Sequence, residues 1–135
     1  MTDALRRRRV LVVDDAATIR RWMELRLRDT YDVSVAADGD EAVTLALTVR
    51  PDLILLDIEM PRVDGFTACR TLRALPATRR TPIILVTSRT GSSDVETGFA
   101  CGCTDFIGKP VDEMELAAKV ESWVAASDWF GDVPQ

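Results

Sequence analysis

Histidine is absent from the 135 residues of this chain. Its absence excludes a phosphohistidine carrier, any metal site that needs imidazole, and Ser-His-Asp or Cys-His catalysis. Aromatic residues make up only 6% of the chain, and the longest apolar runs have the length of a strand. Because a membrane-spanning helix needs about 20 apolar residues, we expect no contact with a membrane.

Cysteine is scarce. The chain has only three cysteines, an odd number, so we expect no disulfide framework. The motif Cys101-Gly102-Cys103 is compatible with redox chemistry, but free cysteines mostly behave as small buried hydrophobic residues. We therefore favour a structural role for the cysteines. No apolar stretch of signal-peptide type follows Met1, so we predict a cytoplasmic protein.

Composition indicates one globular domain. Hydrophobic residues make up 47% and charged residues 29% of the chain, and the net charge is −5. A length of 135 residues allows a single domain with a sizeable core. We predict a folded domain over residues 1–125 and a short tail over 126–135. The acidic balance argues against nucleic acid as a partner.

Strand and helix patterns alternate along the chain and predict five βα units. Continuous apolar runs are typical of strands that are buried on both faces of a parallel sheet. We therefore predict an α/β, doubly wound (βα)5 fold of the flavodoxin-like type, with helices on both faces of the sheet. The predicted strands are 9–13, 32–36, 53–57, 82–87 and 104–108, and the predicted helices are 17–28, 40–49, 66–74, 92–101 and 112–125.

Polar residues with useful chemistry lie at the carboxyl ends of four of these strands: Asp14-Asp15, Asp57, Thr87 and Lys109. The carboxyl ends of parallel strands lie at one edge of the sheet, where ligands bind. The sequence therefore predicts one pocket that contains three carboxylates, a hydroxyl and an ammonium. Such a pocket suits a divalent cation and a phosphoryl group.

Magnesium is the cation that best fits this set, because Mg²⁺ takes oxygen ligands and pairs one or two carboxylates with phosphate. Asp57 is the best candidate for a carboxylate nucleophile, since its strand is expected at the sheet centre and Asp14 and Asp15 would hold the metal. Thr87 and Lys109 would contact phosphoryl oxygens. The alternative is that all of these residues are ordinary strand-end or solvated side chains.

These residues lie in motifs that resemble the receiver domains of two-component response regulators, most closely the stand-alone chemotaxis-type ones. The resemblance covers about residues 8–125. It rests on Val12-Val13-Asp14-Asp15, Leu55-Leu56-Asp57-Ile58-Glu59-Met60-Pro61-Arg62-Val63-Asp64-Gly65, Val86-Thr87-Ser88, Gly102-Cys103-Thr104-Asp105-Phe106 and Lys109-Pro110.

The resemblance implies a sheet of order 2-1-3-4-5 and a phosphoryl group accepted on Asp57 from a kinase phosphohistidine. It implies Mg²⁺ on Asp14, Asp15, Asp57 and the backbone carbonyl of Glu59. Thr87 and Phe106 would form a switch pair, and the peptide bond before Pro110 is often cis in the family.

The partners implied are a sensor histidine kinase or histidine phosphotransfer protein and an unknown downstream protein. A single-domain regulator of this kind catalyses only its own phosphorylation and dephosphorylation, so we do not classify it as an enzyme. We expect a monomer or a weak phosphorylation-dependent dimer, and a switching surface formed by the fourth helix, the fifth strand and the fifth helix.

Three other functions were weighed. A phosphatase of the haloacid-dehalogenase type needs a second acidic residue where this chain has Ala16. A flavodoxin-like cofactor binder needs a phosphate loop that Asp14 and Asp15 would repel. A receiver domain that is never phosphorylated would not need the complete set of motif residues.

Two local hypotheses concern the pocket and its neighbours. Glu59 and Arg89 are placed to form an ion pair over the pocket mouth, although two solvated side chains are the simpler interpretation. Gly91 and Gly98 make the fourth helix either soft or closely packed. The arginines of the first helix form a basic face for an acidic partner or a plain solvated face.

Overall fold

The computed structural model describes residues 7–131, with side chains described for residues 7–126. Within this part of the chain, strands and helices alternate from the first element to the last. Their bounds are β1 Arg9–Val13, α1 Ala17–Leu27, β2 Asp32–Ala36, α2 Gly39–Val49, β3 Leu53–Leu56, α3 Gly65–Ala74, β4 Ile83–Thr87, α4 Ser92–Ala100, β5 Asp105–Gly108 and α5 Glu113–Gly131.

The strands form one parallel sheet in the order β2-β1-β3-β4-β5. β3 and β4 are buried along their whole length, as expected for central strands that helices cover on both faces. The predicted doubly wound fold and the predicted strand order are therefore confirmed.

Alternate residues of the strands supply two separate hydrophobic clusters. Leu11, Ile54 and Leu85 point to the face that α2, α3 and the residues after α4 cover. Val12 and Leu55 point to the opposite face, which α1 and α5 cover. The sheet is thus sandwiched between two helical layers, and its carboxyl edge is left open between them.

The last helix is longer than predicted. α5 continues to Gly131 instead of ending at residue 125. Residues 126–130 contain no glycine or proline, so nothing in their sequence ends the helix before Gly131. The side chains of Trp129 and Phe130, for which we predicted either a folded-back position or a partner contact, lie outside the described residues. No helix of residues 7–131 is both long and apolar enough to cross a membrane.

The three cysteines are buried and reduced. The thiol of Cys69 donates a hydrogen bond to the carbonyl of Cys101 at 3.4 Å. Burial raises the pKa of Cys69 to about 11 and that of Cys103 to about 12. These thiols are therefore poor nucleophiles at neutral pH, which favours the structural interpretation.

Arg73, near the end of α3, connects that helix to the segment before β5. Its Nε donates to the carbonyl of Gly102 at 2.7 Å, and its Nη1 donates to the carbonyls of Thr81 and Thr78 at 2.6 and 3.2 Å. Its Nη2 donates to the hydroxyl of Thr104 at 3.2 Å. Burial lowers the pKa of Arg73, yet the planar guanidinium donates to three carbonyl groups and a hydroxyl at the same time.

We expect Arg73→Lys to lower the free energy of unfolding by about 2 kcal/mol, because a single ammonium cannot reach all of these acceptors. Urea denaturation measures the change. Arg70→Lys, at an exposed position of the same helix, is the control and is expected to change stability by less than about 0.5 kcal/mol. Equal losses in the two variants would contradict the role assigned to Arg73.

Candidate active site

The ends of β1, β3, β4 and β5 bring the predicted residues together at one edge of the sheet. The amide of Asp57 donates to the carbonyl of Val13 at 3.0 Å, and the amide of Lys109 donates to the carbonyl of Thr87 at 2.9 Å. These backbone hydrogen bonds continue the ladders by one residue beyond the strands. Asp14, Asp57, Thr87 and Lys109 are therefore held by the sheet itself and not by mobile loops.

The acidic residues Asp14, Asp15 and Asp57 form one cluster. Each supplies a carboxylate oxygen, and these oxygens lie within 4.8 Å of one another. Asp14 is fully buried and Asp57 is 3% exposed, whereas Asp15 is exposed. Two of the three negative charges are thus removed from most of the solvent that would otherwise screen their repulsion.

Lys109 supplies the positive charge nearest to this cluster. Its Nζ lies 2.8 Å from Oδ2 of Asp14 and 3.4 Å from Oδ2 of Asp57, and its side chain is only 15% exposed. Burial alone would lower the pKa of Lys109, but its contacts with the two carboxylates outweigh burial and raise it. The ammonium is therefore charged at neutral pH and contacts both buried acids.

The carboxyl group of Asp57 is left only partly compensated. Burial and the charge of Asp14 raise its pKa to about 6, although Lys109 and the amide of Glu59, which donates to Oδ1 at 3.2 Å, act in the opposite direction. Asp57 is therefore mostly ionised at pH 7, and its buried negative charge destabilises the folded state. A further cation would relieve this cost.

The residues fit a magnesium ion. Oδ2 of Asp14 is buried and accepts no aligned hydrogen bond from the described residues, even though Lys109 lies close to it. Three carboxylates against one ammonium leave a net negative charge of two in the cluster, which a divalent cation neutralises. All of the donors are oxygen atoms, the ligands that Mg²⁺ prefers over nitrogen or sulfur.

Arg89 and Glu59 flank the site but pair only loosely. Nε of Arg89 lies 4.0 Å from Oε1 of Glu59, whereas Nη2 donates to Oδ1 of Asp94 in α4 at 2.8 Å. The guanidinium also lies over the ring of Phe66, at 5.6 Å from its centroid. The structure therefore gives Arg89 a nearer acidic partner than Glu59, and the hypothetical ion pair between Arg89 and Glu59 is at most a loose contact. The amide of Arg89 donates to the hydroxyl oxygen of Thr87 at 3.1 Å.

Residues 10–121 match the response regulator receiver domain. The chain belongs to this family. Receiver domains are the modules of two-component systems that kinases phosphorylate, and they bind Mg²⁺ in an acidic cleft.

Individual relatives agree with this assignment. Response regulator PleD of Caulobacter vibrioides is 44% identical over 115 residues, which are 84% of this chain and 25% of PleD. The chemotaxis response regulator CheY4 of Vibrio cholerae is 33% identical with a TM-score of 0.83, covering 87% of this chain and 99% of that one.

The receiver domain of sensor histidine kinase PA1611 from Pseudomonas aeruginosa PAO1 is 34% identical, with a TM-score of 0.81 and a coverage of 87% and 98%. That domain has a magnesium ion coordinated in its active-site cleft. The present chain spans only a quarter to about half of the length of curated relatives such as PleD and the MtrA regulator of Mycobacterium tuberculosis.

One further feature of this receiver domain agrees with the sequence analysis. The peptide bond between Lys109 and Pro110 is cis. Phe106 is a half-buried residue of β5, and its ring centroid lies 6.0 Å from that of Phe99 in α4. The switch role of Thr87 and Phe106 stays a prediction.

The support of the loop after β3 was not foreseen. Arg62 has a left-handed backbone, with φ of 64°, and its Nη2 donates to Oδ2 of Asp38 at 2.6 Å. Asp38 also caps α2 through the amide of Glu41. At Gly65 a side chain would overlap the carbonyl of Asp57, so only glycine allows α3 to begin this close to β3. Gly65 belongs to a motif on which the family resemblance rests, whereas nothing in the sequence indicated the partner of Arg62.

The second unforeseen feature fixes β5 to α5. Asp105 accepts hydrogen bonds from the indole of Trp123 at 3.0 Å and from Nζ of Lys119 at 3.2 Å. Lys119 also donates to the carbonyl of Phe106 at 2.7 Å. Burial would raise the pKa of Asp105, but these donors and the amide of Phe106 lower it. The backbone on both sides of Phe106 is therefore held in place.

We expect Asp57→Asn to stabilise the metal-free domain at pH 7.5 by about 1 to 3 kcal/mol. The pKa of Asp57 rises from 3.8 to about 6 on folding. Between these values the folded state binds more protons than the unfolded state, so wild-type stability falls as the pH rises through this window. Urea denaturation in the presence of EDTA measures the difference between the two proteins.

The same experiment at pH 4 supplies the control, because protonated Asp57 carries no charge and the difference is expected to shrink towards zero. Added Mg²⁺ is expected to raise the melting temperature of the wild type more than that of the variant. A variant that is less stable than the wild type at pH 7.5 would contradict the electrostatic argument.

Proposed function

We propose that this receiver domain accepts a phosphoryl group on Asp57 from the phosphohistidine of a sensor histidine kinase or histidine phosphotransfer protein, with Mg²⁺ as cofactor. The observation that carries the proposal is the position of Lys109, whose Nζ contacts the buried carboxylates of both Asp14 and Asp57. A buried ammonium next to a buried carboxylate of raised pKa is suited to a reaction in which negative charge is brought to that carboxylate.

The reaction is a transfer of one phosphoryl group between two nucleophiles. A carboxylate oxygen of Asp57 forms a bond to phosphorus while the bond from phosphorus to the donor nitrogen breaks, and the electrons of that bond remain on the donor imidazole. Because the pKa of Asp57 is about 6, most molecules already have the ionised carboxylate at pH 7. No general base is needed to create the nucleophile.

The residues around Asp57 position and neutralise the incoming group. Lys109 pairs with one phosphoryl oxygen, and the hydroxyl of Thr87 donates to another. Asp14, Asp15, Asp57 and the backbone carbonyl of Glu59 hold the Mg²⁺. When bound, the Mg²⁺ supplies positive charge that offsets the negative charge of the phosphoryl oxygens. Positioning and charge neutralisation are the main requirements of phosphoryl transfer.

A cleft beside Lys109 supports docking of a protein donor. It has a volume of about 270 Å³ and a mainly apolar lining formed by Thr18, Ile19, Trp22, Lys109, Pro110 and Val111. Its lining joins α1 to the segment that follows β5, so an apolar side chain in it would lie next to Lys109. Arg20 of α1 donates to the carbonyl of Asp14 at 2.8 Å, and its positive charge at this edge of the sheet favours an acidic donor surface.

The remaining assignments follow from the same function. The domain catalyses only its own phosphorylation and dephosphorylation, acts in the cytoplasm, and passes its signal through α4, β5 and α5 to a protein target and not to nucleic acid. Phe106 and Thr87 form the switch. Action as a single-domain regulator, with residues 126–135 as a tail, and a monomeric or weakly dimeric state stay predictions.

We expect incubation with acetyl phosphate and Mg²⁺ to add one phosphoryl group to the wild type, as measured by intact mass. Asp57→Asn is expected to remain unmodified, because an amide does not act as the nucleophile, and omission of Mg²⁺ is expected to abolish the addition. Asp29→Asn, at an exposed position between α1 and β2, is the control and should react like the wild type. Undiminished phosphorylation of Asp57→Asn would disprove the assignment.

We expect Lys109→Gln to separate metal binding from phosphoryl transfer. The variant should bind Mg²⁺ at least as tightly as the wild type, since the ammonium no longer repels a cation in the acidic cluster. Its phosphorylation rate at saturating Mg²⁺ should fall by roughly 100-fold, because a charge that stabilises the transferred group is lost. Mg²⁺ titration followed by tryptophan fluorescence and the rate of mass increase measure the two effects. If Lys109→Gln bound Mg²⁺ more weakly but was phosphorylated at the wild-type rate at saturating Mg²⁺, Lys109 would act in metal binding and not in phosphoryl transfer.

A further inference from the structure

Phe106 and Thr87 share one face of the sheet on adjacent strands. In the parallel register, Phe106 lies beside Leu85, and Gly108 lies beside Thr87. Side chains two residues apart on a strand point to the same face. The ring of Phe106 therefore has the carboxyl edge and Thr87 in one direction along this face, and it packs against the cluster that contains Leu85.

Gly98 of α4 marks the place where the ring now lies. A Cβ at Gly98 would be 2.5 Å from Cε2 and 2.9 Å from Cζ of Phe106, and 2.9 Å from Cδ1 of Leu85. Carbon atoms in contact normally lie 3.5 to 4.0 Å apart, so the ring occupies space that any side chain at residue 98 would need. Glycine costs about 1 kcal/mol against alanine inside a helix. The fit of the ring explains this cost better than a need for a soft helix.

A second glycine lies on the other side of Phe106. Gly108 is the next residue of β5 on the same face, and it places no side chain between Phe106 and Thr87. The methyl group of Thr90 lies 3.2 Å from the position that a Cβ of Gly108 would take. Two residues without side chains therefore adjoin the face on which the ring lies, Gly98 in α4 and Gly108 at the edge of the candidate site.

The backbone of Phe106 cannot follow the ring. Its amide donates to Oδ1 of Asp105 at 2.8 Å, and its carbonyl accepts from Nζ of Lys119 at 2.7 Å. Any relocation of the ring is therefore a side-chain rotation about a fixed backbone. Because phenylalanine has no hydroxyl group, the rotation breaks no hydrogen bond, and steric contact decides between the two positions.

We propose that Gly98 is a positioning residue that holds the Phe106 ring against α4 in the unphosphorylated domain. When a phosphoryl group on Asp57 draws the hydroxyl of Thr87 towards it, the ring leaves Gly98 and rotates to the Gly108 side. A side chain at residue 98 excludes the ring from its first position and shifts the balance towards the phosphorylated conformation. The inference rests on the proposed function.

The direct test uses the wild-type protein. With the phenylalanine rings isotopically labelled, NMR is expected to show a nuclear Overhauser effect between the Phe106 ring and the Hα protons of Gly98. Saturation with beryllofluoride and Mg²⁺, a mimic of the phosphorylated carboxylate, is expected to abolish it. An effect that persists in the saturated protein overturns the inference. A protein that binds no beryllofluoride at all instead argues against the proposed function.

Two variants test the energetic side. Gly98→Ala is expected to bind beryllofluoride roughly fivefold or more tightly than the wild type, because the competing ring position is blocked. Gly91→Ala, at the residue that precedes α4, is the control, since a Cβ there would meet only Oδ2 of Asp94, at 3.5 Å, and its affinity should stay within about twofold of the wild type. Equal affinities for the two variants overturn the inference.

A third comparison separates the ring from general crowding. Gly98→Ala is expected to destabilise the domain more in the wild-type background than in a Phe106→Ala background, where the ring atoms that meet the new methyl group are gone. Thermal unfolding measures both differences. Equal destabilisation in the two backgrounds would assign the strain to Leu85 instead and contradict the role of Gly98. Should Gly98→Ala fail to fold, the NMR test on the wild type still decides.

Discussion

Charge repulsion among buried carboxylates is the constraint on which the rest of this receiver domain depends. Asp14 and Asp57 are almost completely removed from solvent, and Asp15 adds a third negative charge within 4.8 Å. One ammonium, from Lys109, lies within contact of the two buried acids. Such a cluster destabilises the folded state. A rigid scaffold is needed to hold the carboxylates together against their repulsion, and a cation is needed to neutralise their charge. Both needs are also what phosphoryl transfer to a carboxylate requires.

The scaffold that resists this repulsion is the hydrogen-bonded end of the sheet. Asp57 and Lys109 are still bound to neighbouring strands through their amides, so their side chains project from backbone that the core holds in place. The hydrophobic clusters on both faces keep the strands in register. Burial of apolar side chains thus provides the free energy that keeps the acidic cluster together in the absence of a ligand.

The sequence allowed the fold to be predicted because both of its signals are local. Strand-length apolar runs alternate with helical patterns, and parallel strands then place Asp14, Asp57, Thr87 and Lys109 at one edge without any knowledge of tertiary contacts. Contacts between side chains that are distant in sequence could not be predicted in this way. Arg62 pairs with Asp38, and Arg89 is closer to Asp94 than to Glu59. Several acids were equally plausible partners, and only the positions of the loops select one.

The backbone of β5 is restrained, whereas the Phe106 ring is held only by packing. This difference offers a way for phosphorylation in the pocket to change the surface of the domain. Asp105, Lys119 and Trp123 tie β5 to α5, so the backbone around Phe106 is restrained. On the other side of the ring, Gly98 contributes no side chain, and the ring occupies the space that a Cβ at residue 98 would need. A rotation of the ring then changes the packing against α4 while the contacts to α5 stay intact. If Phe106 acts as proposed, the response is directed towards α4, because on that side only packing contacts oppose the rotation of the ring.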